Sequence, residues 1–225
     1  MVDNLIAEDL LLLLLDDESG KISNSTFASI ETAVGGAILV ELSLRGAIEV
    51  TEKEFFRQPK VVAADEESSL PPMLADSLGD ITEKERTAMA LVTRLGKGRK
   101  QPLLDRLVDK GMLRCEQDKI LGLFPRTRWP AEDSSHEAEI RRKITQALIA
   151  GNTVDERTAA LISLLSALGL VSNVVKVDAL SGREVRKQAK AIADGNWASK
   201  AVRDAVIASQ AAVTAAISSA AVVSS

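Results

Sequence analysis

His136 and Cys115 are the only histidine and the only cysteine in the chain, so general acid–base and thiol chemistry have one candidate each. His136 precedes Glu137 in what reads as the first turn of a helix, and its serine neighbours adjoin it only in sequence. That pattern reads as polar surface, not as a nucleophile held by a base. Cys115 follows Arg114, which favours a thiolate, but no histidine lies near it in sequence. A lone cysteine excludes an internal disulfide and a multi-cysteine zinc site, and fits a reducing compartment. Asp16 and Asp17 stand where a helix should end, without a second cluster of metal-ligand type. Gly96-Lys97 lacks both the upstream glycine and the following Ser or Thr of a phosphate-binding loop. The chain is therefore read as non-enzymatic, with no metal or cofactor.

Cations are the more informative residues. Lys97, Arg99 and Lys100 occupy the turn "GKGRK" before a helix, where free backbone N–H groups and the helix dipole favour an anion. Arg126 and Arg128 share a hairpin with Leu121, Leu123, Phe124 and Trp129, a mixture suited to a lipid headgroup region, since Trp partitions to the interface and Arg pairs with phosphate. The competing reading is that both clusters are solvated loop charges, with Phe124 and Trp129 covering the core. The net charge of −4, from 28 basic and 32 acidic residues, excludes bulk attraction to nucleic acid or anionic lipid and leaves only such local clusters.

Positioning these residues requires a scaffold built almost without aromatics: 46% of the chain is hydrophobic but 3% aromatic, which suits helices of Leu, Val, Ile and Ala. At 225 residues the chain is read as one domain, residues 1–225, with 222–225 as a frayed tail. The leucine run Leu10 to Leu15 is too short to span a membrane and has acidic flanks where a signal sequence needs cationic ones. It reads as a buried core helix stopped by Ser19-Gly20. A second helix runs from Ser25 to Gly46, with Gly35-Gly36 implying either close packing against the leucine helix or a nearby ligand.

"AIEV" and "KVVAAD" read as a hairpin and "EESSLPPM" as a loop. Thr82 with Glu85 reads as a capping box opening a helix that closes at Gly96. A helix follows from about Gln101 to Gly111, then a second hairpin over 113–129. Helices are expected over His136–Ala150, Asp155–Leu168, Gly182–Asp194 and Asn196 to about Ala221. The helix and basic hairpin after Gln101 also look like the last helix and wing of a winged-helix domain, but Asp105 and Asp109 make a poor face for DNA.

Three blocks in order, "AEDLLLLLLDDESG", "GAILVELSLRGAI" and "LVDKGMLRCEQDKILGLFPRTRWP", resemble the Golgi phosphoprotein 3 family, and the Ala-rich composition resembles its bacterial, actinobacterial-type members. The resemblance implies a mainly α, single-domain helical bundle, its buried core helices ringed by amphipathic helices and two or so β-hairpins. It further implies a peripheral membrane protein, cytoplasmic and at the inner membrane face, that binds phosphatidylinositol 4-phosphate or another anionic phospholipid headgroup. Eukaryotic members also hold glycosyltransferases in the Golgi.

Their headgroup pocket uses a tryptophan and an arginine that fall here on Thr26, beside Phe27, and on Gly35. Two further arginines fall on Lys97 and Lys100, with Arg99 between them as a third cation. The resemblance thus implies a ligand site at Lys97, Arg99, Lys100 and Phe27, aided by Arg126 and Arg128, with Leu121, Leu123, Phe124 and Trp129 wetting the interface. An alternative use of the 113–129 hairpin is self-association or docking of another protein. Nucleic acid is not an expected partner.

Overall fold

A computed structural model describes residues 4–22, 27–51, 59–64, 69–120, 124–151, 155–195 and 200–223; within these, the side chains of 27–29, 118–126, 200–202, 216–217 and 219–223 lie outside the description. The leucine run forms α1 (Ile6–Leu14), buried at every position. Each fully buried leucine stabilises the fold by roughly 1.5–3 kcal/mol relative to an exposed one. The helix does not reach the expected stop at Ser19-Gly20. It ends at Leu15, whose backbone is extended and bridges to Ile22. A rod buried on all sides cannot continue into Asp16, Asp17 and Glu18, which are solvent-facing or nearly so, without burying three carboxylates. Gly20, at φ +60°, makes the return turn instead.

α2 (Phe27–Leu44) runs through the centre of the bundle and touches α1, α4 (Ala88–Gly96), α7 (Glu156–Ala167) and α10 (Lys200–Val223). Its glycine pair packs as one of the two expected alternatives required, but against different partners. A Cβ on Gly35 would lie 1.9 Å from the Val92 carbonyl oxygen of α4, and one on Gly36 2.8 Å from the Ser209 Cβ of α10. Ser209 is fully buried and donates to the Ala205 carbonyl at 2.7 Å. Gly46, at φ +68°, ends the helical stretch as expected.

β1 (Ile48–Val50) and β2 (Lys60–Ala63) form the expected antiparallel hairpin, and β3 (Arg86–Thr87) adds a third strand on the other side of β2. This third strand overturns the Thr82 capping box. Residues 74–81, which the sequence left without an element, join the end of the expected loop and the start of the expected Thr82 helix in α3 (Pro72–Glu83), with Pro at its N-terminus. The Thr82 hydroxyl donates to the Gly79 carbonyl at 3.0 Å within that helix, and Glu85 pairs with Lys60 at 2.7 Å. The chain then pairs with β2, and Thr87 caps α4, accepting from the Ala90 N–H. Sheet pairing with a distant strand overrides the local capping signal.

α5 (Lys100–Asp109) leads into the hairpin of β4 (Glu116–Ile120) and β5 (Phe124–Arg128), in register from Glu116 opposite Arg128 to Ile120 opposite Phe124. α6 (Ser135–Ala150), α7, the single turn α8 (Val171–Val174) and α9 (Gly182–Ala193) follow, with Asp155 capping α7 and a Ser181–Glu184 capping box opening α9. α10 extends to Val223, past the expected end near Ala221; Asn196 and the last two residues lie outside the description. Val206 and Val213 of its expected stripe are buried. The molecule is thus mainly helical, with two small antiparallel sheets.

Candidate functional site

The basic turn joins α4 to α5. Gly98, at φ +70°, reverses the chain, and the Arg99 N–H closes the turn on the Gly96 carbonyl at 3.2 Å. Its three cations part company. Lys97 is exposed and has no ion-pair partner among the described residues. Arg99 faces α3, 3.9 Å from Asp76 and 3.8 Å from Asp80. Lys100 turns the other way and holds its ammonium 5.9 Å from the centre of the Trp129 ring, a cation–π arrangement. Burial pushes the Lys100 ammonium below its ordinary pKa, while the Glu31 carboxylate acts in the opposite sense.

Glu31 reaches the turn because two backbones touch. A Cβ on Gly96 would lie 1.8 Å from the Glu31 carbonyl oxygen, so only glycine lets α2 and α4 cross this closely. The Glu31 carboxylate accepts the Gly98 N–H at 3.0 Å.

Beside Lys100 lies a cavity of about 230 Å³, lined by Lys21, Ile22, Ile30, Lys100, Thr127 and Trp129 among others. The loop after α1 forms one wall. It is clamped to the end of β5: the Trp129 N–H donates to the Gly20 carbonyl at 3.2 Å and the Ala131 N–H to the Asp17 carbonyl at 3.0 Å. A Cβ on Gly20 would lie 2.4 Å from the backbone of Trp129 and Pro130. Lys21 is exposed and, among the described residues, has no ion-pair partner. The Trp129 indole N–H is buried without a hydrogen-bond acceptor among them. Neither Lys21 nor Glu31 stood out in the sequence, because only the turn at Gly20 and the crossing at Gly96 bring them here.

The hairpin contributes through alternation. Thr127 and Trp129 face the cavity, so Arg128 lies on the other face of β5, where it pairs with Glu116 of β4 at 3.0 Å. Arg114 pairs with the same glutamate at 2.8 Å and with Glu132 at 3.4 Å. Leu121 and Leu123, and the side chains of Phe27, Phe124 and Arg126, lie outside the described residues. α5 shows why its winged-helix likeness is local. Arg106 and Lys110 reach inward to Glu8 at 2.9 and 2.8 Å, while Asp105 and Asp109 face solvent.

The remaining candidates are structural. Glu8, Asp9 and Glu41 are buried carboxylates, each with several donors. Glu8 also accepts the Leu5 N–H at 2.7 Å. Asp9 lies 2.8 Å from both His136 and Arg157. Glu41 takes the Ile6 N–H at 2.7 Å, Arg157 at 3.2 Å and Arg45 at 2.9 Å. His136 is therefore not the plain surface residue expected: it fastens α6 to α1. Glu137 beside it is buried against Arg141 and Asp17, and burial raises its carboxyl to about 7. Cys115 is exposed and free. No cluster of metal-ligating side chains occurs among the described residues, and no helix there is long and apolar enough to cross a membrane.

The profile of a family described as Golgi phosphoprotein 3 (GPP34) matches residues 6–209. A curated relative, the vacuolar protein sorting-associated protein 74 of Eremothecium gossypii, is 26% identical over 166 residues, 65% of this chain and 50% of that protein. The similarity thus spans about half the length of that relative. With the three motif blocks seated in α1, in α2 and in α5 with its hairpin, and with the profile match running from α1 into α10, the chain belongs to the Golgi phosphoprotein 3 family.

Proposed function

We propose that this chain is a non-enzymatic peripheral protein that docks on anionic membrane lipid, with the headgroup phosphate taken between Lys97, Lys100 and Lys21 and the Trp129 ring alongside. The supporting observation is the arrangement of charge. Lys97 and Lys21 have no ion-pair partner among the described residues, and Lys100, held over Trp129, lines the same cavity as Lys21. Lys21 and Lys100 line the cavity, and Lys97 stands in the turn before α5, where backbone N–H groups add to the attraction. Arg99 and Arg128 serve carboxylates instead, so the site differs from the one expected of eukaryotic relatives. Gly35 has no space for their arginine, since even a Cβ would meet the Val92 carbonyl oxygen. A phosphoinositide or another anionic phospholipid fits the same three ammonium groups, and the docking face is the cytoplasmic one.

Flotation with phosphatidylcholine vesicles carrying either phosphatidylserine or phosphatidylinositol 4-phosphate tests this. Association should appear at low salt, fall as salt rises and disappear in a Lys97→Glu, Lys100→Glu double variant. Wild type that fails to float at low salt on either anionic vesicle removes the reading. Self-association through the 113–129 hairpin is the other reading, and light scattering of Phe124→Asp separates them: an unchanged molar mass counts against it.

A further inference from the structure

The turn proposed to take headgroup phosphate already holds an anion of its own. The Glu31 carboxylate accepts the Gly98 N–H at 3.0 Å and acts electrostatically on Lys100. It belongs to a different helix, more than sixty residues earlier in the chain, and reaches the turn through the glycine crossing of α2 on α4. A carboxylate placed so by chance at the surface would be free to swing away. This one is half-buried, and its backbone, pressed against Gly96, keeps the side chain within reach of the turn.

We infer that Glu31 is an intramolecular competitor for the external anion, so that a headgroup phosphate binds the 97–100 turn by displacing its carboxylate from Gly98. This rests on the lipid-docking reading and adds to it a residue that sets its strength. In the free protein the carboxylate satisfies the Gly98 N–H and offsets part of the positive charge of Lys100. On binding, the Gly98 N–H changes acceptor from carboxylate to phosphate oxygen, and the Glu31 side chain turns to water. Phosphate prevails because it offers more acceptor oxygens and, as a monoester, more charge than a carboxylate. Contact with neutral membranes then leaves the turn closed on itself.

The test is Glu31→Gln, whose amide oxygen still accepts the Gly98 N–H while the charge is gone. On phosphatidylcholine vesicles containing phosphatidylinositol 4-phosphate, whose headgroup carries a phosphomonoester, the variant should bind roughly fivefold more tightly than wild type at low salt. Glu31→Asp, which keeps the charge but shortens the reach to Gly98, should also gain, by less; it serves if the glutamine variant is poorly folded. In wild type, the Gly98 amide resonance should move on adding vesicles. If inorganic phosphate moves it as well, phosphate chemistry alone suffices; if only vesicles do, the source is the membrane-borne headgroup. Wild type that binds vesicles with Glu31→Gln and Glu31→Asp binding no better overturns the inference and leaves lipid docking standing. No vesicle binding by wild type or either variant overturns both.

Discussion

Gly35 and Gly96 bring α2 and α4 into backbone contact: a Cβ on the first would lie 1.9 Å from the Val92 carbonyl oxygen, and one on the second 1.8 Å from that of Glu31. The obstacles are backbone atoms, which cannot turn aside as a side chain can, so the crossing tolerates no side chain on either helix.

Gly35→Ala and Gly96→Ala should therefore each destabilise the fold by about 2–3 kcal/mol, the upper part of the range for overpacked cores, despite the better helix propensity of alanine. Urea unfolding measures this. A Gly79→Ala control, where an added Cβ meets nothing within 4 Å, should be neutral or slightly stabilising.

Arg157 joins Asp9 of α1 and Glu41 of α2, at 2.8 and 3.2 Å, and also donates to the Asn4 carbonyl. Arg157→Met leaves two buried carboxylates short of a cation and should cost about 3–5 kcal/mol. Replacing Arg142, whose partner Glu139 on the same helix is exposed, should change stability by less than about 0.5 kcal/mol. Chemical denaturation of the two variants side by side shows whether burial sets the difference.

Glu137 gives stability a pH dependence of definite sign. Burial foremost, with Asp17 adding to it, raises its carboxyl from 4.5 to about 7 against the pull of Arg141. Between those values the folded state holds a proton that the unfolded chain has released, so stability falls as pH rises through the window. The contribution is complete below the unfolded value and lost above the folded one. Urea midpoints taken across that range should decline in wild type, and the decline should be smaller in Glu137→Gln. An equal slope in the two proteins assigns the dependence to another group.

The cations of the basic turn should not be equivalent in membrane binding. Lys97→Ala should weaken association with anionic vesicles and lower its salt dependence, whereas Arg99→Ala should leave binding closer to wild type, because Arg99 is 3.8 to 3.9 Å from two carboxylates of α3. Equal losses in both variants would place Arg99 in the headgroup site after all.

Much of the helical scaffold was legible in the chain itself. The "GAILVELSLRG" stretch and the spacing over 135–168 carry periodicity and punctuation strong enough to specify helices, and the unbroken apolar run Leu10 to Leu15 marks a buried one, though not where it ends. α3 was missed because Pro71-Pro72 and Met73 were read as the end of a loop, and Leu74, Ser77 and Ile81, which share one face, were given no element. Thr82 was mistaken for a cap because a local pattern of two residues cannot reveal that Arg86 and Thr87 pair with β2.

The candidate site was legible only in part. Lys97 and Lys100 are marked by their place before a helix, and Trp129 by its place after a basic strand. Lys21 and Glu31 are not marked at all. Side-chain type and local periodicity depend on neighbours within a few residues, and those the chain determined alone: its helical class, its leucine core, its basic turn. Which cations stay open and which are consumed depends on partners tens of residues away, brought near by a glycine crossing and a clamped loop. Only the tertiary structure could decide that Arg128 faces Glu116, that Lys100 lies over Trp129, and that a carboxylate from α2 sits at Gly98.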